Sequence, residues 1–163
     1  MRIELTLRGD YAVRAALAIA LLDYGRPVSA RRIAERMDIP SRFVAHVLGD
    51  LVRAGIAEGR AGRSGGYHLA APADSIDLLL VVDAVEERGE VARCVLRGGP
   101  CRRDGTCAVH DAFTAASAAM RAELAAVTLC DLVDDGLPSG PGVGTSGPAR
   151  GGRTALPIHR PGG

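Results

Sequence analysis

Cys94, Cys101 and Cys107 fall within fourteen residues of a 163-residue chain, in a stretch rich in Gly, Pro and Arg. Thiolates are soft ligands suited to iron-sulfur clusters or zinc. Six residues separate the first pair and five the second, and Gly98-Gly99-Pro100 and Asp104-Gly105 supply turns that let one loop fold around a metal centre. Short CxxC pairs, which typify structural zinc, are absent. The segment 92–110 therefore reads as an Fe-S ligand set, with zinc as the alternative and a disulfide or inert thiols behind it. Three thiolates leave one position for another donor. His110 follows Cys107 by three residues, so at a helix start both side chains can face the same way. Cys130, apart in Leu129-Cys130-Asp131, reads as a small core residue.

The surroundings of these cysteines bound the chemistry. Met1 leads into Arg2, Glu4 and Arg8 rather than a signal peptide, and no run of about 20 apolar residues suggests a membrane span. The expected compartment is the cytosol, where clustered cysteines more often bind metal or act in redox than form disulfides. The four His are scattered, and nothing resembles a phosphate-binding loop, a hydrolase triad or paired catalytic acids, so no enzyme is expected. Hydrophobic residues make up 47% of the chain, aromatics only 3%, and Trp is absent. One compact domain with a core of Ala, Val, Leu and Ile follows, dominated by helices.

A net charge of +1 hides an asymmetry: residues 1–66 carry eleven Arg against seven acids, and residues 67–136 six Arg against twelve. Every base is Arg. A positive first segment is the footprint expected of a phosphate-contacting surface.

The elements that must position these groups follow from apolar spacing. Residues 9–24 read as a first helix, with Tyr11, Ala12, Ala15, Ala16, Ile19, Ala20 and Leu22 as its stripe and Gly25 and Pro27 beyond its end. Ser29 caps a shorter helix with Ile33, Ala34 and Met37 inward, and Asp38-Ile39-Pro40 forms a turn. Ser41 is expected to cap the next helix, whose Val44, Val47, Leu48 and Leu51 keep helical spacing until Ala54-Gly55. Ile56-Ala57-Glu58 and Tyr67-His68-Leu69 form two strands across a Gly-rich loop that is expected to be mobile without DNA. A hairpin after a helix-turn-helix reads as the wing of a winged helix.

Asp77 caps a helix from Leu78 to Glu87, whose apolar run predicts burial on more than one side. Ala112 to Val127 forms a long helix with Phe113, Ala116, Met120, Leu124 and Val127 as a narrow seam, the pattern of a dimerisation helix. The division is thus a DNA-binding region over 1–75, the cysteine loop and dimerisation helix over 76–135 in the same compact domain, and a tail over 136–163. Residues 137–163 hold eight Gly and five Pro, a composition that predicts disorder. The fold class is mostly α with a small β-hairpin wing, a winged helix-turn-helix plus a long dimerisation helix.

In a helix-turn-helix the N-terminal residues of the second helix meet base edges. That nominates Ser41, Arg42, Phe43 and His46. The Arg42 fork suits guanine or a phosphate, and Phe43 suits either a thymine methyl or packing. Arg60 and Arg63 on the wing suit an adjacent minor groove.

The chain resembles the IscR/NsrR (Rrf-two-type) family of bacterial winged-helix transcription regulators over roughly residues 1–135. The likeness rests on Met1-Arg2-Ile3, Gly9-Asp10-Tyr11-Ala12-Val13-Arg14-Ala15, Ile39-Pro40-Ser41, Leu51-Val52-Arg53-Ala54-Gly55-Ile56, Gly65-Gly66-Tyr67-His68-Leu69, the three cysteines and Val127-Thr128-Leu129-Cys130-Asp131-Leu132. The family's first cysteine gap more usually holds five residues, and the sixth here alters the loop's shape. The resemblance implies a homodimer with crossing long helices, each cysteine loop near the partner's first helix, and an Fe-S cluster that tunes affinity for a double-stranded DNA operator, expected to be palindromic. His110 matches the histidine ligand of cluster-assembly regulators, associated with a 2Fe-2S centre. Asp10 matches an aspartate that, in similar nitric-oxide sensors, reaches a 4Fe-4S centre from the other subunit. Both options stand beside plainer ones, Asp10 as a cap of the first helix and His110 as an exposed polar residue.

The expected function is a cytoplasmic repressor whose cluster senses nitric oxide, redox state or iron and Fe-S supply. The alternatives are a zinc-stabilised DNA-binding regulator and an electron-transfer or cluster-delivery protein on a winged-helix scaffold.

Overall fold

The computed structural model describes residues 5–86 and 109–134. The three clustered cysteines and the Gly/Pro-rich tail lie outside the described residues, as does the end of the helix expected to reach Glu87. The elements run α1 (Leu7–Leu22), α2 (Ala30–Met37), α3 (Ser41–Arg53), β1 (Ala57–Arg60), β2 (Gly66–Leu69), a 3-10 turn (Ala73–Ser75), α4 (Leu78–Asp83), α5 (His110–Ala125) and α6 (Leu129–Asp134).

At the centre lies α1. Its alanines offer little bulk and let neighbours approach on several sides, so Ala12 and the continuous run Ala15, Ala16, Leu17, Ala18 and Ile19 are all buried. The expected stripe is therefore a helix enclosed around its middle turns. The helix starts two residues earlier than expected because Thr6 caps it, its hydroxyl accepting the Gly9 N–H at 3.0 Å. Asp10 is then a first-turn residue, not the cap.

Ser29 accepts the Arg32 N–H at 3.3 Å and opens α2, which buries Ile33 and Ala34. Asp38 takes left-handed geometry (φ 51°) and ends α2, turning the chain so that Ile39 is buried. The residue before α3 is Pro40, and no side chain caps that helix. Ser41 is its first helical residue, which corrects the expected cap: proline's fixed φ and the Phe43 N–H bond to its carbonyl at 2.8 Å start the turn instead. Val44, Val47, Leu48 and Leu51 are buried as spaced. Gly55, at φ 71°, supplies the left-handed turn after the helix end.

The hairpin pairs antiparallel from Ala57↔Leu69 to Arg60↔Gly66, two residues further toward the tip than the expected strand end, leaving only 61–65 as loop. A third segment joins it: Val28 N–H donates to the Tyr67 carbonyl at 2.7 Å and Tyr67 N–H to the Val28 carbonyl at 2.8 Å. Gly66 lies at φ +155°, and a Cβ there would stand 2.6 Å from the Val28 carbonyl oxygen, so the close approach requires glycine.

Asp77 caps α4 as expected, accepting the Leu80 N–H at 2.7 Å. Val81 and Val82 are buried but Leu80 is 45% exposed, so the apolar run covers only part of the helix circumference. After α5, the Leu78 N–H bonds to the Val127 carbonyl at 2.8 Å and the Leu129 N–H to the Ile76 carbonyl at 2.9 Å, returning the chain to the core. Val127 thus leaves the expected helix to make this return, and α5 begins at His110 rather than Ala112. Leu129 of α6 is fully buried. No described helix is long and apolar enough to cross a membrane.

Candidate functional site

Burial of Val44, Val47 and Leu48 turns the opposite face of α3 outward, leaving Ser41, Arg42, Ala45 and His46 exposed. Phe43 lies between core and surface. Its ring packs on Tyr11 of α1, centroids 5.5 Å apart at 36°, and carries the Arg42 guanidinium 4.8 Å from its own centroid. The flat cation over the ring face is attracted to its π density and loses rotamer freedom, which holds the Arg42 head beside the helix start.

Arg60 closes the hairpin ladder opposite Gly66, whereas Arg63 sits in the 61–65 loop, where the Gly65 N–H bonds to the Gly62 carbonyl at 3.0 Å. Both arginines are exposed. On the ladder His68 faces Glu58 at 3.6 Å, a pair that becomes ionic only when the imidazole is protonated.

Sequence spacing did not single out the outward arginines of α2 or the polar link between α1 and α3. Arg31, Arg32 and Arg36 are exposed, with Arg31 Nε on Glu35 at 2.7 Å. An Arg-Arg pair in the first turn after the Ser29 cap, Arg31-Arg32, is the signal that could have found them, because the first helix of such a motif crosses the nucleic-acid backbone. Asp50 is buried on α3 and accepts from Arg8 of α1 through both Nε (2.8 Å) and Nη2 (2.6 Å), while Arg53 bonds its other oxygen. The start of α1 is held from another side too: the Thr6 N–H donates to Glu86 beyond α4 at 2.9 Å.

The two fourth-ligand candidates sit at helix starts. Asp10 is half-buried and paired with Arg14 at 2.9 Å, and Arg14 also reaches the Met37 carbonyl at 3.3 Å. His110 opens α5 and is likewise half-buried. Among the described residues no group of three or more His, Cys, Asp or Glu is arranged to hold a metal. Cys130 is not the core residue expected. The core place in α6 is taken by Leu129, and the next residue of the helix turns aside toward Asp134, whose carboxylate lies 3.8 Å from the sulfur. The negative charge of Asp134, then partial burial and the charges of Asp74 and Asp131, push the Cys130 thiol pKa up.

None of the sixteen residues of α5 is buried. Phe113 and Met120 stay 41% and 39% exposed, and the helix is fastened to α4 by the bidentate Arg121–Asp83 pair at 2.9 and 2.6 Å.

Comparison with known proteins gives the family. The chain is 33% identical over 132 residues to the HTH-type transcriptional regulator IscR of Vibrio campbellii, covering 81% of this chain and 78% of that protein. It is likewise 33% identical over 132 residues to the protein rrf2 of Nitratidesulfovibrio vulgaris, covering 81% and 88%. The solved structure of T. potens IscR superposes with a TM-score of 0.69 at 21% identity over 82% of this chain and 88% of that one, a likeness of fold. Residues 5–135 match the model of the Rrf2 family, described as iron-dependent transcriptional regulators. With its helix-turn-helix, paired hairpin and long second-half helix, the chain belongs to the Rrf2 family of DNA-binding transcriptional regulators and is not an enzyme.

Proposed function

We propose that this regulator is a homodimeric repressor whose grip on a palindromic operator is set by an Fe-S cluster held by Cys94, Cys101 and Cys107. The observation that carries the reading is the donor set itself: three thiolates within fourteen residues, followed by an imidazole, His110, that opens α5 half-exposed instead of being committed to the core. The description of the family as iron-dependent regulators points the same way. Soft sulfur donors with one harder corner fit a cluster, and such a corner is the one that nitric oxide, oxidant or solvent displaces most readily. A bound cluster would supply that displaceable, redox-active centre. His110, or Asp10 of the partner subunit, completes the set. For Asp10 to serve, its carboxylate has to give up or share the Arg14 pair.

In this reading Ser41, Arg42 and His46 meet base edges, with Phe43 as the platform for Arg42, while Arg60 and Arg63 enter the neighbouring minor groove. The exposed Phe113–Met120 side of α5 meets a second copy, so the two reading helices address half-sites related by a twofold axis. Asp10 shares the first turns of α1 with Arg8, which holds Asp50 of the reading helix. Loss of a ligand at Asp10 would therefore be felt at α3.

Anaerobic purification tests the assignment. A brown protein with visible charge-transfer absorption and stoichiometric iron and sulfide is expected, bleached by nitric oxide with a change in operator affinity. Colourless protein with stoichiometric zinc would establish the zinc-stabilised regulator instead. Cluster content with no preferred DNA would point to electron transfer or cluster delivery. Asp10→Ala and His110→Ala proteins, compared by the same absorption, identify the fourth ligand.

A further inference from the structure

Asp50 is the one buried charged side chain among the described residues, 3% exposed within an otherwise apolar contact between α1 and α3. Burying a carboxylate is costly, and an apolar side chain of similar size would hold the two helices together as well or better. What the carboxylate adds is direction. Apolar contact fixes how close two helices lie but resists rolling and sliding weakly, because it is insensitive to angle. Arg8 Nε and Nη2 converge on one oxygen, Oδ2, while Arg53 holds Oδ1 from one helical turn away, so three charge-assisted bonds whose strength depends on angle fix the carboxylate.

We propose that Arg8 and Asp50 are positioning residues for sequence reading. Their bond sets the roll of α3 on α1 and hence the direction in which Arg42 and His46 leave the molecule. The proposal rests on α3 being the base-reading helix. Contacts to phosphate tolerate small rotations because charge attraction is broad, whereas bidentate contacts to base edges do not. Loss of the bond is therefore read as lost discrimination, not as lost attraction to DNA in general.

The test uses the full-length chain. Wild-type protein selects an enriched duplex from a random library, and affinities are then measured for that duplex and for a scrambled one. Asp50→Asn and Arg8→Gln are each expected to weaken binding to the enriched duplex about tenfold, to leave the scrambled duplex unaffected, and to do no more when combined. Equal losses on both duplexes would make Arg8 a phosphate contact, and additive losses or unchanged binding to the enriched duplex would equally overturn the proposal. Should Asp50→Asn fail to fold by circular dichroism, Arg8→Gln carries the test, since its side chain is 54% exposed. If the wild type enriches no sequence, α3 is not a reader and the positioning role falls with it. Enrichment with indifferent variants removes the positioning role alone.

Discussion

Phe43 packs on Tyr11 and also carries the Arg42 guanidinium, so a single ring ties the start of α3 to the core and steadies a cation at the surface. Its i, i+3 register with His46 places it close to the outward face, which is why spacing alone left both a base contact and a packing role open. The capping of α6 is also set by individual atoms. The Thr128 N–H and hydroxyl donate to Asp131 at 2.9 and 2.7 Å, and the Asp131 N–H returns to the hydroxyl at 3.2 Å. The bonds from Thr128, side chain first and then backbone, hold the Asp131 carboxyl below its ordinary value of 3.8. A carboxyl whose folded pKa is depressed stabilises the fold above the unfolded value and ceases to do so as pH falls through the folded one. Wild type is therefore expected to lose stability on the acid side as Asp131 takes up its proton below 3.8, whereas Asp131→Asn should have a lower midpoint at neutral pH and a weaker acid-side dependence, followed by circular dichroism. An unchanged pH profile in that variant would remove the cap from the account.

The elements differ in how plainly they can be read from residue order. α2, α3 and the hairpin are legible because Ile33, Val44, Val47, Leu48 and Leu51 keep helical spacing and Gly or Pro punctuates each end. The Val28 bridge is not, since one residue has no period, and neither is the Arg8–Asp50 bond, which spans 42 positions and links two residues that read locally as surface charges. The site is legible to the same extent: the exposure of Arg42 and His46 follows from the register of their apolar neighbours, but the Tyr11 contact of Phe43 and the Arg8–Asp50 bond, which fasten that helix to α1, join residues distant in sequence. Two outcomes belong to this scale. Gly66→Ala places a methyl against the Val28 carbonyl and is expected to cost about 1–3 kcal/mol, read by thermal denaturation. Replacing Arg60 and Arg63 together with Ala should weaken operator binding and flatten its dependence on salt, with affinity measured across a salt series; unchanged affinity and slope would exclude the wing from the interface.

At the scale of the whole molecule the imbalance lies in α5, a four-and-a-half-turn helix with no buried residue, held to α4 by Arg121 and Asp83 and left with Phe113 and Met120 toward solvent. Helices of that length gain most of their stability from packing rather than propensity. The combined Phe113→Glu and Met120→Glu substitution is therefore expected to give a monomer by sedimentation, with operator affinity falling steeply because each half-site is then bound alone. A dimer that survives both changes would place the contact elsewhere. The reciprocal hydrogen bonds between Val28 and Tyr67 carry a different consequence. They pin the hairpin at Tyr67, one residue from the end of its ladder at Gly66, to the linker between α1 and α2, so the angle at which Arg60 leaves the domain is preset like one jaw of a calliper. If that jaw and the start of α3 both grip DNA, as proposed, a duplex whose grooves do not match the gauge is expected to bend when held.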